Sequence, residues 1–125
     1  MQINQLINIF KNKINKKINT HKLEQCLEKQ LNKKISKFHI FDWDCVSCSQ
    51  NPYLSEEFIE KYEKKLDWIW ISLHQQLSGI FINKYKSRIY FDYLSKSNKI
   101  NYLKYKLENE MIPQEEYLKE LIKCK

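Results

Sequence analysis

The sequence predicts an all-α protein: an N-terminal helical hairpin followed by stacked short helix pairs. Three observations carry this. Apolar residues recur at helical spacing, turn chemistry suited to strands is nearly missing, and a segment of about 23 residues repeats itself. The chain of 125 residues contains one Gly (Gly79), two Pro and no Ala, while Lys, Ile and Asn make up 48 residues. That is the residue set of A- and T-rich codons, so part of the bias reflects genome composition. A lone Gly excludes a glycine-rich phosphate cradle, a dinucleotide fingerprint and a nucleophile elbow. It also disfavours an antiparallel barrel, whose tight turns need several Gly or Asn-Gly pairs.

The length fits one domain, 1–125, divided into the hairpin (1–37) and the repeat region (38–125). In residues 3–18, Ile3, Leu6, Ile7, Phe10, Ile14 and Ile18 follow a helical period, with Lys and Asn opposite. Asn19-Thr20 interrupts the pattern, and Thr20 is the expected N-cap of the next helix. Leu23, Cys26, Leu27, Leu31 and Ile35 continue that helix.

Residues 54–76 align without a gap on 77–99. Seven positions are identical, including Leu54/Leu77, Ser55/Ser78, Phe58/Phe81, Ile59/Ile82 and Tyr62/Tyr85. An upstream half-copy, offset by 25, matches Asp42/Asp67, Trp43/Trp68, Ser47/Ser72 and Gln50/Gln75. Each unit reads as two short helices. Ser55 caps the first, with Glu56 and Glu57 in the turn that the helix dipole favours for acids. Phe58, Ile59, Tyr62 and Leu66 form its apolar face. Asp67 caps the second, which carries Trp68, Ile71 and Gln75, and Ser78 caps the next unit. Pro113 suits a first helical position, with Tyr117, Leu118, Leu121 and Ile122 behind it. Such a pair cannot bury its own face, so units must stack.

The Asp-Trp-x-x-Ile-Ser phrase at 67–72, followed by Gln-x-Leu-Ser-x-x-Phe-Ile-x-Lys-Tyr at 75–85, resembles tandem repeats in uncharacterised proteins of bacteriophages and large DNA viruses. Asp42-Trp43, Val46-Ser47 and Asn51-Pro52 provide a further copy, whereas Tyr90-Phe91 replaces Asp-Trp in the last. The likeness spans roughly residues 38–100. It implies a helical scaffold of mobile-element origin and transfers no catalytic residue.

Cys45-x-x-Cys48 admits a metal half-site or a redox pair. His21, His39, His74, Cys26 and Cys124 show no second paired spacing, and no βαβ context surrounds the motif. Simple packing in the slots of Trp70 and Leu73 is the better reading. Trp43, Trp68, Trp70, Phe91 and Tyr93 could stack bases, but their shared repeat positions argue for packing. No cofactor and no catalytic residue is expected.

The net charge of +7 comes in blocks: +7 over 1–41, −4 over 42–67, +6 over 68–106 and −2 over 107–125. The basic, Tyr-rich stretch 84–106 supplies the partner-binding candidates Tyr85, Arg88, Tyr90, Tyr93, Lys96, Lys99, Tyr102, Lys104 and Tyr105. The expected function is non-enzymatic protein binding, in its most specific form inhibition of a bacterial defence effector of the CRISPR type by occlusion or conformational locking. The partner would be a larger host protein or ribonucleoprotein, met in the bacterial cytoplasm. The alternative is Lys-driven, weakly sequence-specific contact with an RNA or DNA backbone, since a single Arg leaves little for base readout. No run is long enough to cross a membrane, and Met1–Phe10 lacks the pattern of a secretory signal.

Overall fold

The computed structural model describes residues 19–50 and 53–124. The first helix predicted for the hairpin, 3–18, lies outside the described residues. Those described form an all-α structure of seven α-helices and two 3-10 turns.

Helix α1 spans Thr20–Leu31. Its cap is Asn19, not Thr20: the Asn19 side chain accepts from the Lys22 N–H at 2.9 Å. Asn and Thr both cap, but Asn19 alone holds the extended backbone a cap requires (ψ 160°). Thr20 is the first helical residue, and its hydroxyl is buried without a hydrogen-bond partner. The helix stops short of Ile35 because Asn32 turns left-handed (φ 54°), a conformation Asn tolerates. A 3-10 turn, Ile35–Lys37, then leads to α2, Ile40–Ser47. There His39 is the N-cap, and Asp42 works from the third helical position, accepting from the His39 N–H at 2.8 Å.

Helix α3 (Glu56–Lys61) is capped by Ser55, α4 (Trp68–His74) by Asp67, and α5 (Gly79–Lys84) by Ser78. All three caps fall where the repeat placed them. The next second-helix position holds Tyr90 in place of Asp67. With no side chain to cap it, that segment shrinks to a 3-10 turn, Phe91–Tyr93. Helix α6 (Lys96–Glu108) follows, capped by Ser95. Pro113 is the N-cap residue of α7 (Gln114–Lys123), one position before the first helical one.

The same bonds recur between successive segments. The Ser47 hydroxyl donates to the Trp43 carbonyl at 2.7 Å and accepts from the Asp67 N–H at 2.9 Å. Ser72 does the same for Trp68 (2.7 Å) and the Tyr90 N–H (3.1 Å). The buried Gln75 amide accepts from the Leu54 N–H at 2.9 Å and donates to the Ser47 and Ser49 carbonyls. Asn98, 23 residues later, accepts from the Leu77 N–H at 3.0 Å and donates to the Gln75 carbonyl at 2.7 Å. These side chains replace the partners that backbone groups in the tight turns would otherwise lack.

Two rows of helices result. In the first, α1, α3, α5 and α6 lie side by side. Lys61 and the Tyr62 hydroxyl both reach Glu24 at 2.9 Å, and Lys84 reaches Glu60 at 2.8 Å. Ser78 donates to Glu56 through both its N–H and its hydroxyl. In the second row, α2, α4 and the 91–93 turn follow one another. The core fills the space between, with Leu23, Phe58, Ile59, Ile71 and Ile82 fully enclosed. Trp43 packs on Tyr62 (5.0 Å between ring centroids), and Trp68 packs on Tyr85 (5.4 Å). Helix α7 rests on α6 but contributes no buried residue, and Leu118 and Ile122 of its apolar face stay exposed.

Candidate interaction surface

Four of the nine predicted binding residues hold the fold together. Tyr85 lies against Trp68 and Phe81. Arg88 donates to the Glu63 carbonyl at 2.9 Å, with its guanidinium 5.8 Å from the Trp68 ring centroid. The Tyr102 hydroxyl donates to Asn83 at 3.1 Å, and Tyr105 accepts from the same amide at 3.3 Å. Burial, together with the neighbouring Tyr105, raises the Tyr102 hydroxyl above its ordinary pKa. The other five, Tyr90, Tyr93, Lys96, Lys99 and Lys104, are exposed. Tyr90 and Tyr93 pair edge to face at 6.4 Å on the 91–93 turn.

The structure corrects the reading of the cysteines and of three of the five aromatics. Cys45 and Cys48 do not pack: both thiols are exposed and free on the outer side of α2. Trp43 and Trp68 are buried, but Trp70 is 39% exposed, Phe91 39% and Tyr93 49%. Two residues along a helix are separated by about 200° of rotation, so Trp68 and Trp70 cannot both face the core. The same separation places Cys45 opposite Trp43. In the two helices, repeat equivalence thus marks two registers, one inward (Trp43, Trp68) and one outward (Cys45, Trp70), whereas in the 3-10 turn both Tyr93 and Phe91, the counterpart of Trp68, are exposed. The two-residue spacing was visible in the sequence and would have separated the two registers.

The outward register forms an apolar row along the second layer. Phe41 and Cys45 belong to α2 and Cys48 to its C-cap, Ile69, Trp70 and Leu73 to α4, and Phe91 and Tyr93 to the turn that Tyr90 precedes. Trp70 is held in place by His74, stacked at 5.4 Å with 15° between planes, and His74 is fixed by a 2.9 Å bond to Gln50. The row is therefore braced before any partner arrives, which lowers the ordering cost of binding.

The charged groups Glu24 and Asp42 serve the stack. Burial works against ionisation of Glu24, but the hydrogen bonds from Lys61 and Tyr62 prevail and hold its carboxyl below the ordinary value. Asp42 is lowered by the His39 N–H and by Lys33 at 2.8 Å. Among the described residues, no group of three or more His, Cys, Asp or Glu side chains is placed to hold a metal ion. None of the described helices is long and apolar enough to cross a membrane.

No protein-family model, curated protein or solved structure matches the chain.

Proposed function

We propose that this chain is a protein-binding module that acts without catalysis, docking through the outward row of α2, α4 and the 91–93 turn. One observation carries the reading. Ile69, Trp70, Leu73, Tyr90, Phe91 and Tyr93 are each more than a third exposed on two consecutive segments of one layer. Neighbouring exposed apolar and aromatic side chains of this kind mark interaction surfaces, and Trp and Tyr are the usual energetic anchors. The partner is a larger protein or ribonucleoprotein. The most specific version, inhibition of a CRISPR-type defence effector in the bacterial cytoplasm, rests on the likeness of the 42–85 phrases to phage and viral repeats. Its mechanism is occlusion or conformational locking.

The test compares wild type with Trp70→Ala/Tyr93→Ala as bait in bacterial lysate expressing a defence effector. Both side chains are largely outside the core, so circular dichroism should be unchanged. A stoichiometric partner retained by wild type and lost by the variant supports the reading. Equal recovery by both baits, or none by wild type, rejects it.

A further inference from the structure

The parallel course of α1, α3 and α5 brings a second surface into being, apart from the aromatic row. Ser78 at the start of α5 meets Glu56 and Lys84 at its end meets Glu60, so α3 and α5 run in the same direction; the first turns of α1 lie beside Glu57 and Lys61, and Trp43 touches both Phe38 and Tyr62, which brings the turn after α1 next to the turn after α3. The C-terminal ends of the three helices therefore open onto one edge of the molecule. The turns that leave those ends are residues 32–38, 62–66 and 85–89. Together they hold seven bases (Lys33, Lys34, Lys37, Lys64, Lys65, Lys86, Arg88) and a single acid, Glu63. With seven bases against one acid, the three turns carry a net charge of +6.

Two of the seven bases are committed to the fold. Arg88 ties the third turn to the second through the Glu63 carbonyl, and Lys33 pairs with Asp42. Lys34, Lys37, Lys64, Lys65 and Lys86 are exposed. At the α1 end, Glu28, Lys29, Asn32, Lys33 and Lys34 line a shallow depression. The Glu28 carboxylate there accepts from the Ile35 N–H at 2.8 Å, which directs it towards the backbone. Successive packed helices stand about 8–10 Å apart. The turn lysines thus form a line of positive charge whose length follows the stack.

We propose that this edge binds the phosphodiester backbone of a single-stranded nucleic acid. A line of lysines suits a linear polyanion, because each ammonium needs only a nearby phosphate oxygen and no fixed geometry. The aromatics in the three turns, Phe38, Tyr62 and Tyr85, are half-buried against Trp43 and Trp68, and the one Arg is held by Glu63, so binding is indifferent to sequence. RNA and DNA strands present the same backbone charge and bind alike.

Fluorescence anisotropy with labelled 20-nucleotide RNA and DNA strands tests this on the full chain. Five phosphate contacts at about 0.7 counterions each give a log–log salt slope near −3.5, and affinity falls about 100-fold between 50 and 200 mM salt. Lys64→Gln/Lys65→Gln/Lys86→Gln should reduce the slope by about 2. Lys96→Gln/Lys99→Gln/Lys104→Gln removes the same charge from α6 and should leave it nearly unchanged. No binding at 50 mM salt overturns the proposal. So do equal losses in the two triple variants, which would mean net charge alone, and equal displacement by polyglutamate, which would mean an acidic protein surface.

Discussion

Gly79 stands at the first position of α5, where the preceding unit has Glu56. By helix propensity alone, Gly79→Ala should stabilise the protein by up to about 1 kcal/mol. The packing predicts the opposite sign. A Cβ at Gly79 would collide with the Tyr105 Cβ and stand 2.6 Å from the Asn101 carbonyl oxygen, where ordinary contact begins at 3.4 Å. Neither obstacle is the end of a flexible side chain, so α6 itself must retreat by about 1 Å. That motion pulls on two 3.0 Å bonds, from the Leu77 N–H to Asn98 and from Asn101 to the Leu77 carbonyl. Overpacking costs about 1–3 kcal/mol, and the helix gain offsets part of it. The expected net loss is about 1–2 kcal/mol, or a Tm lower by about 4–8 °C for a domain of this size. Urea and thermal unfolding of wild type and Gly79→Ala measure it. A variant as stable as wild type, or more so, would refute the close approach of α5 and α6.

Two further outcomes follow from the polar groups Asn98 and Glu24. Asn98→Leu removes the acceptor of the buried Leu77 N–H and the donor to the Gln75 carbonyl, and should cost about 2–6 kcal/mol in urea unfolding, at about 1–3 kcal/mol per orphaned group. Glu24 has a folded pKa below its ordinary value. Its contribution is therefore fully present above the unfolded-state value near 4.5 and is lost as pH falls through the folded one. Wild type should lose stability between about pH 5 and 3 more steeply than Glu24→Gln, as unfolding midpoints across that range would show.

The helix starts were legible because capping is local. Ser55, Asp67 and Ser78 each need only the amide two or three residues ahead, so their type and spacing suffice. The same locality explains the two near misses. Asn19 and Thr20 are both competent caps, and Pro113 fits either side of a helix start, so a one-residue shift leaves the pattern intact. The loss of the third second-row helix was also written in the chain, as Tyr90 where Asp67 stands.

The binding candidates fared differently. Tyr85, Arg88, Tyr102 and Tyr105 read as a basic, Tyr-rich surface, yet their partners Trp68, Glu63 and Asn83 lie 17 or more residues away. Gln75 and Asn98 differ in type but do the same work, and their equivalence emerges only from what they bond.

Alone, the sequence determined the all-α class and the caps Ser55, Asp67 and Ser78, because these depend on neighbours a few residues apart. Only the tertiary structure decided which lysines share an edge, which tyrosines are already used, and why one glycine is required at 79. Those properties depend on how helices far apart in the chain approach one another, and that approach is set by side-chain volumes and hydrogen bonds between segments about 20 residues apart.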